Sequence, residues 1–192
     1  IQALNEAMSG DQLIFLVTQR DIKDDEPGEN ELYSVGVVAK IRQILRLSGD
    51  NVRVLVEGLY RAKLETLVQT EPHYVAHIRE CLERRVSGTL HVQALLRECR
   101  AYFEEYASLV QKISPDVMLS VSSAANVGYL ADYIASNIQL PPEEKQQILE
   151  TVNPEKRMES LMLILARECS ILSLEQDIQE KVRQQIDRNQ KE

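Results

Sequence analysis

Val35-Gly36-Val37-Val38-Ala39-Lys40-Ile41, then Ser48-Gly49-Asp50-Asn51, then Val52-Arg53-Val54-Leu55-Val56: these three stretches decide the fold of the first half of the chain. In the first, Val35, Val37, Ala39 and Ile41 alternate with Gly36, Val38 and Lys40. In the last, Val52, Val54 and Val56 alternate with Arg53 and Leu55. A period of two is a strand pattern, because successive side chains point to opposite faces. The middle stretch is short and polar and carries a glycine, which predicts a hairpin turn and antiparallel pairing. Glu57-Gly58 interrupts the alternation, and glycine inside a strand often marks a bulge. Further strands are expected from Arg61 to Val68 and from Tyr74 to Glu80, with Pro72 between them. The apolar run Leu13 to Val17 reads as a buried strand, preceded by helical spacing at Ile1, Leu4, Ala7 and Met8 that Gly10 ends. An acidic loop, Asp24-Asp25-Glu26-Pro27-Gly28-Glu29, follows the first strand. Together these predict a small twisted antiparallel sheet or partly closed barrel.

The period changes after Gly88. Six of the seven glycines lie at or before that residue, and only Gly128 lies beyond it. The shift predicts an α+β chain with a β-rich part over 1–86 and a helical part over 87–192. Val92, Leu95, Leu96, Cys99, Tyr102, Phe103, Tyr106, Leu109, Val110 and Ile113 follow the 3–4 spacing of one helix face. Ser114-Pro115-Asp116 supplies an N-cap serine and a first-turn proline. Val127, Leu130, Ala131, Ile134 and Ile138 form a second stripe. Pro141-Pro142-Glu143-Glu144 and Asn153-Pro154-Glu155 open two more helices. The last helix reads to the end of the chain. It is densely apolar from Met158 to Leu172 and sparse beyond, where Ile178, Val182 and Ile186 stand among charged and amide side chains. Its front half is expected inside a bundle. Its back half is expected to project as an arm that wants a partner or a continuation.

Charge and composition narrow the function. The chain has 192 residues, 44% hydrophobic content and a net charge of −8. An acidic balance repels phosphate backbones, so no nucleic-acid partner is expected. No apolar run approaches the roughly 18 residues of a membrane span. Cys81, Cys99 and Cys169 are odd in number and widely spaced, which reads as free thiols in the cytosol or an equivalent reducing compartment. There is no phosphate-cradling G-x-x-x-x-G-K-[ST] loop, no dinucleotide fingerprint and no G-x-S-x-G elbow. His73 and His77 fall in a strand pattern and are expected side by side on a solvent-facing surface, too few for zinc. Asp24 to Glu29 lacks the spacing of a calcium loop and reads as solvated. Ser120, Ser122 and Ser123 have no histidine nearby in sequence. Neither catalytic, cofactor-binding nor metal residues are expected in this chain.

The stretches Leu32-Tyr33-Ser34-Val35-Gly36-Val37-Val38-Ala39-Lys40-Ile41 and Val52-Arg53-Val54-Leu55-Val56-Glu57-Gly58-Leu59-Tyr60-Arg61-Ala62 resemble the amino-terminal domain of bacterial-type Lon proteases. So do Leu130-Ala131-Asp132-Tyr133-Ile134-Ala135-Ser136, Lys145-Gln146-Gln147-Ile148-Leu149-Glu150, Arg157-Met158-Glu159 and Ile178-Gln179-Glu180-Lys181-Val182, in the same order. The resemblance implies a PUA-like β part followed by a helical bundle. It also implies a non-catalytic role in protein quality control: contact with unfolded or degron-bearing substrates, and support of a hexamer. The ATPase and Ser-Lys protease modules of that family, with their ATP and Mg, are not in this sequence. Family members usually carry a proline-containing strand before the first helix. Its lack here predicts an open sheet edge through which this chain forms a dimer. The competing reading is a stand-alone interaction adaptor of the same fold without protease activity; a self-contained enzyme has no motif to support it.

Overall fold

The computed structural model describes residues 1–49, 51–86, 88–110 and 112–189. It has two compact units, Ile1–Glu83 and the residues from Arg84 onward. The first unit opens with helix α1 (Gln2–Ser9), which runs into strand β1 (Leu13–Leu16). Strands β2 (Val35–Arg46), β3 (Val52–Gln69) and β4 (Val75–Glu80) follow. All neighbours are antiparallel, in the spatial order β1-β2-β3-β4. The two alternating runs pair as expected, with Val35 opposite Lys63 at one end and Arg46 opposite Val52 at the other. At the turn, the Leu47 N–H donates to the Asn51 carbonyl at 2.9 Å. Asp50, part of the expected turn, lies outside the described residues, as do Lys191 and Glu192 of the terminal arm.

Four expectations for this unit need correction. The strand ending near Gly58 and the one starting at Arg61 are a single strand, β3. The register shifts between Val38 and Ala39, where Leu59 is the extra residue on β3, and again between Ile41 and Gln43, where Arg42 is the extra residue on β2. The two insertions cancel, so the strand bends at Gly58 without breaking. The Leu13–Val17 run is only half-buried, and Leu16 is exposed, because β1 is an edge strand with one neighbour. Burial along β2 does not follow one face either: Val35, Gly36, Val38, Ala39 and Ile41 are all buried, because this inner strand is covered on both sides. Finally, His73 and His77 do not share a strand face. His73 precedes β4 and is half-buried with its Nε2 at 3.1 Å from Glu6 Oε2, whereas His77 is exposed on β4.

The second unit is a bundle of α2 (Leu90–Val110), α3 (Pro115–Ser123), α4 (Val127–Asn137), α5 (Pro142–Glu150) and α6 (Pro154–Asn189). Its boundaries follow the caps read in the sequence. The Ser114 hydroxyl accepts from the Val117 N–H at 3.4 Å, with Pro115 in the first turn. Asn153 Oδ1 accepts from the Lys156 N–H at 3.0 Å. Each satisfies one of the amides that a helix start leaves unpaired. The core joins Cys99 and Phe103 of α2 to Leu130 and Ile134 of α4 and to Met158, Leu161 and Leu165 of α6. Arg157 is buried among them. Its guanidinium donates to the Thr151 carbonyl (2.9 Å), the Val152 carbonyl (3.0 Å), the Gly128 carbonyl (3.4 Å) and Asp132 Oδ2 (3.0 Å).

Burial pushes the Cys99 thiol from its ordinary 9.0 up to about 12, against the opposing pull of the nearby Arg100 charge. The unfolded chain releases this proton near 9 and the folded chain does not until about 12. The contribution is therefore intact below pH 9 and is lost as pH rises from there toward 12. Urea unfolding across that range is expected to show falling stability that Cys99→Ala flattens. In the native chain at neutral pH, Cys81, which is only half-buried, is expected to react with a thiol reagent first, while Cys99 reacts only on unfolding.

Candidate functional site

The fold gathers no chemistry-bearing cluster among the described residues. Among the described residues no group of three or more His, Cys, Asp or Glu could hold a metal ion, and no helix is long and apolar enough to cross a membrane. The acidic loop is organised by its own backbone: Asp21 accepts from the Lys23 N–H at 2.9 Å and Asp24 from the Glu26 N–H at 3.2 Å. Glu29 reaches across to accept the Leu67 N–H at 2.8 Å. Ser120, Ser122 and Ser123 hydroxyls donate to carbonyls of their own helix. What the described residues do present is exposed apolar surface, and three stretches of it gather several side chains together.

The first is a cleft of about 1120 Å³ in the β unit. Its walls come from α1, from Phe15 and Leu16 on β1, from His73 and Tyr74 just before β4, and from Val75 at its start. The two edge strands thus face one cleft although no ladder joins them, which is the geometry of a partly closed barrel. The Tyr74 hydroxyl donates to the Pro27 carbonyl at 3.2 Å, and the His73–Glu6 pair holds the other wall. Sequence reading missed this site, since its walls come from segments distant in the chain.

The second is the arm. Helix α6 has 36 residues, about 54 Å at the usual rise. Its buried face ends at Cys169, Leu172 is half-buried, and every described side chain beyond is exposed. Gln176 Nε2 donates to the Leu109 carbonyl at 3.3 Å and marks where α6 leaves α2. Leu174, Ile178, Val182 and Ile186 follow at intervals of four and are all at least half exposed. The sequence-predicted trio therefore lies on one narrow stripe along the helix.

The third is the outer part of the β2–β3 hairpin, where Leu45, Leu47, Leu55, Leu59 and Tyr60 are exposed. Surfaces of this kind suit contact with another polypeptide rather than bond-making.

A family model described as the ATP-dependent protease La (LON) substrate-binding domain matches residues 1–167. The Lon protease of Brevibacillus choshinensis is 42% identical over 192 residues, covering 100% of this chain and 24% of its own length. That of Heliobacterium modesticaldum is 41% identical over the same span, again 24% of its length. The chain spans about a quarter of the length of these curated relatives. Among solved structures, the N-terminal domain of the Mycobacterium avium complex Lon protease shares the fold. It has a TM-score of 0.64 and 23% identity, over 88% of this chain and 84% of that one.

Proposed function

The chain belongs to the family of LON substrate-binding domains, and from that premise we propose that it is the non-catalytic, substrate-engaging module of an ATP-dependent Lon serine protease. One observation supports this most. Similarity runs through the whole chain yet covers only 24% of each relative, as expected of one module in a larger machine. In this reading the exposed apolar cleft and hairpin meet unfolded or degron-bearing segments of protein substrates. Folded proteins hide such segments, so contact with apolar side chains discriminates the two. The ATPase and Ser-Lys protease steps, with ATP and Mg, belong to the rest of the protein, which works as a cytoplasmic hexamer in protein quality control.

The test is equilibrium binding of this chain to one fluorescently labelled protein held unfolded and to the same protein folded. Selective binding of the unfolded form is expected. Equal binding, or none, would remove the substrate-engaging role and leave assembly.

The arm carries the assembly half of the proposal. Replacing Ile178, Val182 and Ile186 with Gln is expected to leave helical content and bundle stability within about 0.5 kcal/mol, because all three are exposed. The same triple change in the parent protein is expected to shift its sedimentation toward smaller species. Loss of the bundle itself would instead show that the stripe packs internally.

A further inference from the structure

We infer that the outer edge of β3 from Val52 to Tyr60 is a docking site for one extended polypeptide segment, added as a further strand, with apolar residues in alternation and a carboxylate opposite Arg53. The inference rests on the substrate-engaging reading and gives it a place and a chemistry. Strand β4 pairs with β3 only from Gln69 to Ala62, and the Cys81 N–H makes the last bond to the Arg61 carbonyl at 2.9 Å. Beyond that point the row that β4 occupies continues with no strand in it among the described residues. On the other side of β3, β2 is paired along this stretch except at the bulged Leu59. One set of backbone donors and acceptors is therefore open over about 30 Å at the usual strand rise. It is a direct continuation of an interface that the fold already uses.

The side chains along this edge favour an apolar occupant. Leu55 is 59% exposed, and Val56, Leu59 and Tyr60 are exposed as well. Native sheets normally blunt an open edge with charge. Here Glu57 is engaged across the hairpin by Arg42, whose Nε donates to its carboxylate at 2.6 Å. Arg53 has no ion-pair partner among the described residues. The edge thus offers an open ladder, aliphatic side chains on both faces and a cation to an incoming strand. Main-chain pairing supplies sequence-tolerant affinity, and alternate side chains supply preference. Such a site accepts extended, unstructured chain and rejects chain already folded into helix.

Fluorescence anisotropy of the whole chain with labelled synthetic peptides tests this. The probes are a peptide alternating Leu or Val with Glu, its counterpart with Lys in place of Glu, and an N-methylated form of the first. The Glu peptide is expected to bind. Leu55→Ser with Leu59→Ser is expected to weaken it about tenfold or more. Arg53→Glu, a surface change that leaves packing alone, is expected to shift preference toward the Lys peptide. N-methylation, which removes backbone donors, is expected to abolish binding. No binding by the unchanged chain, binding unaffected by the variants, or equal binding of the N-methylated peptide overturns the inference. So does a concentration-dependent dimer that Leu55→Ser with Leu59→Ser makes monomeric, since a second copy would then be the occupant. If the variants still bind an unfolded protein as the unchanged chain does, the edge is excluded while substrate engagement stands. If the unchanged chain binds no unfolded protein, both are lost.

Discussion

Replacing Arg157 with Ala is expected to destabilise the helical unit by about 3–5 kcal/mol, a large part of the 5–15 kcal/mol that holds a typical domain together. The reason is where the guanidinium sits. It is 0% exposed and donates to Thr151, Val152, Gly128 and Asp132, so one side chain ties the α5–α6 connection to α4. Truncation leaves several carbonyls without this donor, strands the Asp132 contact and opens a cavity. Each of these costs free energy separately. Arg157→Lys keeps the charge but loses the planar fork that serves several acceptors at once, so an intermediate loss is expected. Asp132→Asn should cost far less, about 1 kcal/mol, because the Asp132 side chain is 39% exposed and water replaces part of what is lost. Urea unfolding followed by circular dichroism, with hydrogen exchange to locate the loss, checks the order Ala, Lys, Asn. Arg157→Ala as stable as Asp132→Asn would mean that the buried network contributes little.

Arg157 also shows where reading a sequence stops. A charged residue near a helix start reads as surface, and nothing local announces that carbonyls from two other segments converge on it. The features that were legible are those set by local chemistry. The β2–β3 hairpin followed from alternation and a glycine turn. The starts of α3 and α6 followed from Ser114-Pro115 and Asn153-Pro154. The arm was legible because a dense apolar stripe thins to Ile178, Val182 and Ile186 within one helix. The continuity of β3 was not, because Gly58 looks like a break and only the compensating insertion at Arg42 restores the register. Nor was the cleft, where Glu6 and His73 meet from opposite ends of the β unit. Periodicity reports which face of an element is apolar. It does not report which distant element arrives to cover that face, and both the cleft and the Arg157 network are answers to that second question.

Gly36→Ala is the corresponding test in the β unit, with an expected loss of about 3 kcal/mol. Gly36 lies on β2 beside the end of β1, and a Cβ there would meet the Phe15 ring at 2.8 Å and come closer still to the Leu16 carbonyl oxygen. A flexible side-chain end could swing aside, but a backbone carbonyl within a ladder cannot, so β1 itself must move. Among the described strands, edge strand β1 is paired with β2 alone, through the four pairs from Leu13–Lys40 to Leu16–Val37. Displacing it should strip exchange protection from Leu13 to Leu16 before the rest of the sheet. Gly58→Ala is the control: its Cβ would sit an ordinary 3.4 Å from Val37 Cγ1, and a small effect is expected. Because Phe15 and Leu16 line the cleft, the same displacement would reshape it while leaving the outer β3 edge at Val52–Tyr60 in place. Measured with the unfolded-protein probe, Gly36→Ala thus separates the two apolar surfaces of the β unit. Binding lost with β1 would assign the substrate contact to the cleft. Binding kept despite a displaced β1 would assign it to the hairpin edge. Equal stability of Gly36→Ala and Gly58→Ala would show that β1 accommodates the methyl group, and the close approach would then carry no cost.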